Sequence, residues 1–198
     1  MLVEQSARYS LPFWAALGRS NQGVLLIKRG DLDAGIRLLR AGHSELGEGR
    51  VAWSTLWIRP AGRSITFCAV AGEALGLTGQ IDDGLILVEA AIDHCERTEE
   101  RWLFAELLRV KGELLLLQGG PSAAASAEDH FRQALHWARR QGALSWELRA
   151  ATSFARLLRD QGRPADAMAL LQPVYDRFTE GFDTADLKAA EALLDALR

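Results

Sequence analysis

The sequence predicts an all-α chain built from repeated helical hairpins, and three observations carry that reading. Helix formers dominate: alanine and leucine recur throughout, 20 arginines stand against 3 lysines, and Asn21 is the single asparagine. Val, Ile, Thr and Tyr never gather into alternating runs, and Asp83-Gly84, a hairpin-turn dipeptide elsewhere, sits inside an apolar pattern of helical spacing. Finally, one phrase returns four times: a small residue, an apolar residue three later, a glycine seven later, then a second amphipathic run.

The first copy, Gly23, Leu26 and Gly30 followed by Gly35 and Leu39, predicts a hairpin over about 11–45. Residues 46–63, rich in glycine around Val51, Trp53, Trp57 and Ile58, read as irregular, with a loop near Arg59-Pro60. The second copy, Gly72, Leu75, Gly79, Gly84 and Val88, predicts a hairpin over 64–98. The third, Gly112, Leu115, Gly119, Ala127 and Phe131, predicts one over 101–141 with a turn lengthened by Gly120-Pro121-Ser122. The fourth, Ala155, Leu158, Gly162, Ala167 and Leu171, predicts one over 145–180, and a capping helix follows over 184–197. All are expected in one domain, 1–198.

Each position has a physical reason. Seven residues are two helical turns, so the small residue lies where the second helix approaches closely, and the glycine ends the first helix in a left-handed cap. The second helices carry one apolar stripe, as in Ala127, Phe131, Ala134, Leu135 and Ala138, or Ala167, Leu171, Val174 and Phe178. Ser126 with Asp129 reads as a capping box, Pro164 suits a first turn, and Thr184 caps the last helix.

This pattern resembles the tetratricopeptide repeat, whose hallmark is a small residue at the eighth position, an aromatic or leucine at the eleventh, alanine at the twentieth and an apolar residue at the twenty-fourth. The match covers most of Phe13 to Gly181, but the glycines recur every 49, 40 and 43 residues, against about 34 in the family. The resemblance implies a right-handed α-solenoid of about four hairpins plus a C-terminal capping helix. A narrower similarity rests on Ala127–Ala134, Gln141–Leu157 and above all Phe178-Thr-Glu-Gly-Phe-Asp-Thr184. These segments look like the C-terminal repeat region of large bacterial regulators, in which a class III cyclase or DNA-binding domain and a signalling ATPase precede the repeats. That implies a regulatory, signal-transducing module without its neighbours' chemistry.

Charge and motifs narrow the function. A net charge of −3 argues against nucleic acid and anionic membranes as partners, and no apolar run approaches the roughly 18 residues of a membrane span. The N-terminus lacks a basic stretch followed by an apolar one, and Cys68 and Cys95 form no paired motif, so a reducing cytoplasmic setting is expected. No P-loop, nucleophile elbow or H-E-x-x-H string occurs, so the expectation is no enzyme, no cofactor and no metal. His94 and Cys95 are adjacent on a helix and diverge by about 100°, and His130 and His136 are off one face. Cys68 reads as a packed, inert thiol, and the six tryptophans read as core.

The remaining candidate is the face that the resemblance implies for ligands: positions 2, 5, 9, 12 and 13 of each first helix. These are Leu17, Ser20, Val24, Ile27 and Lys28; Thr66, Ala69, Glu73, Gly76 and Leu77; Glu106, Arg109, Glu113, Leu116 and Leu117; and Arg149, Thr152, Arg156, Arg159 and Asp160. The polar members proposed to bind a partner are Lys28, Glu73, Glu106, Arg109, Glu113, Arg149, Thr152, Arg156 and Arg159. Arg149, Arg156 and Arg159 suit carboxylates of an acidic segment or a phosphate. Against this, Glu106 with Arg149 and Glu113 with Arg156 hold equal positions on neighbouring helices and are expected to pair. The expected function is a non-enzymatic scaffold that captures a protein segment, or another domain of a regulatory assembly, in a concave groove. The alternative is a sensor binding a small anionic effector there. The chaperone-clamp specialisation is excluded, since Ser20 and Val24 stand where lysine and asparagine are needed. In the resembling family more helices precede this segment, so self-association through Trp14, Leu17 and Ile27 is expected.

Overall fold

The computed structural model describes residues 12–44 and 64–198, and in these every regular element is a helix. In chain order they are α1 (Pro12–Lys28), α2 (Leu32–Ser44), α3 (Ser64–Leu77), α4 (Ile81–Thr98), α5 (Phe104–Gln118), α6 (Ala123–Gln141), α7 (Leu144–Asp160), α8 (Pro164–Tyr175) and α9 (Ala185–Leu197). The irregular stretch expected at 46–63 lies outside the described residues. The chain divides into two compact units, Met1–Glu100 and Arg101–Arg198.

In the first unit α1 packs on α2 and α3 on α4, with α3 also touching α1 and α2. In the second, α5 pairs with α6 and α7 with α8, while α7 also packs against α5, α6 and α9. Helix α7 therefore touches every other helix of its unit and buries Leu148, Phe154, Leu157 and Leu158 along with four small residues, Ala150, Ala151, Ser153 and Ala155.

The repeated glycines perform the expected task. Gly30, Gly79 and Gly162 have φ of 91°, 79° and 75°. The next amide donates five residues back in each case: Asp31 to the Leu26 carbonyl (3.0 Å), Gln80 to Leu75 (2.8 Å) and Arg163 to Leu158 (2.9 Å). The third copy differs. Gly119 and Gly120 both have positive φ, and Gly119 donates four back to Leu115 (3.1 Å), so the two-glycine turn replaces the single cap. Gly142 caps α6 in the same left-handed way, a cap that lay outside the repeated phrase.

Close helix approach at the small positions is equally direct. A Cβ on Gly23 would lie 2.7 Å from the Gly35 carbonyl oxygen, and one on Gly112 would lie 2.5 Å from Cε1 of Phe131. The ring of Phe131, itself fully buried, occupies the notch that the missing side chain leaves.

Other details correct the sequence reading. Helix α6 begins four residues earlier than the capping-box reading placed it, so Ser126 is internal and Ser122 holds the cap position. Its predicted stripe is buried in full, whereas Phe178 of the α8 stripe falls past that helix's end at Tyr175. Pro164 opens α8, and Thr184 holds the α9 cap position in extended backbone without a side-chain cap bond. The tryptophans depart most: Trp14 and Trp102 are 44% and 50% exposed and Trp137 and Trp146 are half-buried, while Trp53 and Trp57 lie outside the described residues. On these helices alanine and leucine allow a closer fit than an indole does, which leaves the larger rings at the edges.

Two glycine substitutions separate the two roles. Gly112→Ala is expected to cost about 1–3 kcal/mol, because Phe131 must move. Gly162→Ala, with open space but positive φ, is expected to cost about 1 kcal/mol. Urea unfolding midpoints measure both, and equal or reversed losses would contradict the notch.

Candidate partner-binding face

The first helices of the second unit bring part of the predicted set together as an ion cluster. Glu106 on α5 and Arg109 one turn later are 5% and 4% exposed. Arg109 grips Glu106 with both edges of the fork, Nε donating to Oε2 at 2.9 Å and Nη2 to Oε1 at 2.8 Å. From α7, Nη2 of Arg149 reaches the same Oε1 at 2.8 Å, and its Nη1 lies 3.5 Å from Oδ1 of Asp186 on α9. Glu113 closes the group at 3.7 Å from Arg109 Nη1.

A carboxylate and a guanidinium at this depth are tolerable only because each is paired and hydrogen-bonded. The row Glu106, Arg149, Asp186 thus alternates in sign across α5, α7 and α9. The expected Glu106–Arg149 pair forms. The expected Glu113–Arg156 pair does not, because Glu113 turns to Arg109 on its own helix.

Other candidates fall into two groups. Thr152 is buried, and its hydroxyl donates to the Leu148 carbonyl at 2.8 Å, so it presents no free polar group. Arg156 and Arg159 are exposed near the C-terminal end of α7, Arg159 paired with its neighbour Asp160 at 2.9 Å and Arg156 with no described carboxylate. Leu116 is half-buried and Leu117 is 49% exposed at the same end of α5. Together these residues offer one uncommitted cation beside apolar surface, with a weakly held exposed pair next to it.

In the first unit the mapping fares differently. Leu17 and Ser20 are buried, Ser20 donating to the Ala16 carbonyl at 3.1 Å, and a Cβ on Gly42 would fall 2.5 Å from its Oγ. They serve the α1–α2 contact, not an open face. Ala69 and Gly76 are buried as well, while Thr66 and Glu73 are half-buried and Lys28 and Leu77 are exposed. For self-association, Trp14 is accessible, Ile27 half-buried and Leu17 enclosed, while Leu25, not singled out from sequence, is 53% exposed.

Sequence reasoning missed Glu147. It is 3% exposed in the first turn of α7 and accepts from Nε of Arg139 at 2.8 Å and from Nη1 of Arg177 at 2.5 Å. Its partners lie eight residues before and thirty after, a spacing no periodicity announces.

Among the described residues no three His, Cys, Asp or Glu side chains gather to hold a metal, and no helix is long and apolar enough to cross a membrane. Cys68 and Cys95 are thiols, not a disulfide, and both are fully buried; burial pushes the Cys68 thiol well above its ordinary range, with Cys95 nearby adding to the shift. No protein-family model matches the chain, and no curated protein sequence matches it significantly.

These environments set four expected outcomes. Glu106→Leu strands Arg109 in the interior and should cost about 3 kcal/mol or more. Arg156→Ala should stay within about 0.5 kcal/mol of wild type in urea unfolding. Cys68 should resist a chromogenic disulfide reagent in the native protein at mildly alkaline pH and react on unfolding. Because its folded pKa is raised, the unfolded chain ionises first, so stability should fall as pH rises past the ordinary thiol range. A thiol that reacts at once in the native chain would contradict the burial.

Proposed function

We propose that the chain is a non-enzymatic binding module of the tetratricopeptide-repeat kind, serving a regulatory assembly. It captures a segment of a partner protein on the face of its first helices. The observation that carries this reading is the division of labour along α7: Arg149 is engaged by Glu106 and Asp186, whereas Arg156 is exposed and uncommitted near exposed Arg159. The binding end is thus the C-terminal end of α5 and α7, where Arg156 and Arg159 meet a carboxylate and Leu116 and Leu117 meet apolar side chains. The repeat reading draws support from the paired helices, the glycine turns and the packing of α5 on α7 on α9.

The rival reading, a small anionic effector held by Arg149, Arg156 and Arg159, asks three cations to converge. Two of them already have carboxylates within 3.5 Å, and one guanidinium alone makes a weak anion site. A segment spreading its contacts over charge and apolar surface fits better.

Selection of displayed peptides on the purified chain tests this reading. Enriched segments should combine acidic and apolar residues, and Arg156→Glu/Arg159→Glu should weaken them about tenfold or more with unchanged helicity. Equal binding by the folded double variant would overturn the proposal. A thermal shift with inorganic phosphate or nucleotides that the same variant abolishes would favour the effector reading.

A further inference from the structure

Trp137 on α6 is the centre of a second, separate cluster. Arg101 and Arg140 place their guanidinium carbons 5.1 Å and 4.9 Å from the centroid of its ring. Phe104 packs edge-on against the same indole at 5.3 Å, and the Gln141 side-chain amide donates to the Arg101 carbonyl, which fastens the start of α5 to the end of α6. Neither guanidinium is paired with a carboxylate of the described residues. The Arg101 Nε is shielded from water and has no hydrogen-bond acceptor at all. Trp102, beside Arg101, is 50% exposed.

This arrangement is unusual within its own unit. The arginines at 109, 132, 139, 149, 159, 163, 177 and 198 each lie within ion-pair distance of an acid. Of those left over, Arg101 and Arg140 share one indole. Contact with the ring limits where each guanidinium can lie, and Arg140 is exposed, so its N–H donors remain available to an acceptor. Two unneutralised cations held at one ring repel one another, and an anion beside them relieves that cost.

We propose that Arg101, Trp137 and Arg140, with Trp102 at the rim, form a binding site for an acidic protein segment, distinct from the α5–α7 face and independent of the function assigned to it. The cations recognise carboxylates, and the exposed indole of Trp102 supplies apolar surface that a segment's side chains cover and a free inorganic anion leaves unused. The net charge of −3 speaks against a nucleic acid as the occupant.

The test uses the full chain, both wild type and carrying Arg156→Glu/Arg159→Glu to silence the α7 end, and a fluorescein-labelled peptide of alternating glutamate and leucine, read by anisotropy; the further variants are compared in the silenced background. Binding that weakens as salt rises, that Arg101→Ala/Arg140→Ala lowers about tenfold, and that Arg37→Ala on α2 leaves unchanged is the expected result. Arg101→Lys/Arg140→Lys keeps the charge but loses the stacked fork. It should bind several-fold more weakly with wild-type melting, which keeps the proposal testable if the alanine pair loses helicity. Wild-type affinity in both double variants would overturn it. So would equal binding of an alternating lysine–leucine peptide, or full displacement of the glutamate peptide by an equal concentration of inorganic phosphate.

Discussion

Helix α7 is enclosed by the four other helices of its unit, and that enclosure sets the terms for every charged residue on it. A helix surrounded in this way must be narrow. The run Ala150, Ala151, Thr152, Ser153 supplies that, and the absence of long side chains lets α5, α6, α8 and α9 all reach it. The same enclosure buries Glu147 and leaves Arg149 with only a fifth of its side chain open to water. Each has to be neutralised by neighbours, Glu147 by Arg139 and Arg177 and Arg149 by Glu106 and Asp186. Only beyond Ala155, where α7 emerges, are its arginines exposed.

This gradient from enclosed to exposed separates charges that build the unit from charges that can meet something else. Buried pairs cost so much desolvation that they add little net stability, yet removing one member leaves an uncompensated ion. The Glu106 cluster therefore acts as a registration device: Arg149 can satisfy both Glu106 and Asp186 only when α5, α7 and α9 stand at one relative height. Exposed Arg156 has no such duty, and its loss is cheap to the fold while costly to any partner that uses it.

Much of this was legible in the sequence because it depends on local periodicity. The small-to-glycine step of seven placed the ends of α1, α3, α5 and α7, and the stripe from Ala127 to Ala138 gave the buried face of α6. The candidate face was legible by position but not by burial. Equal positions on neighbouring helices predicted the Glu106–Arg149 pair, yet the i, i+4 competitor at Arg109 took Glu113 from Arg156. Glu147 was illegible because its partners come from the end of one helix and the turn after another. The indoles were misjudged because hydrophobicity says a ring is worth burying without saying whether a helix pair this close has room for it.

The two groups of uncommitted cations differ in what holds them. Arg156 stands on a helix fixed by an ion cluster two turns away, so its position is inherited from the fold, but its side chain is free to rotate. Arg101 and Arg140 rest against the indole itself, which limits where their guanidinium groups lie before any ligand arrives. Preorganisation of that kind reduces the entropy lost on binding, which for a long charged side chain amounts to about 0.5–1.5 kcal/mol. The stacked pair is therefore suited to a defined arrangement of carboxylates, and the α7 end to a segment whose contacts are spread and adaptable. Both proposed surfaces lie in one unit, and the α5–α6 hairpin contributes to each: Leu117 at the end of α5 to one, and Trp137 near the end of α6 to the other.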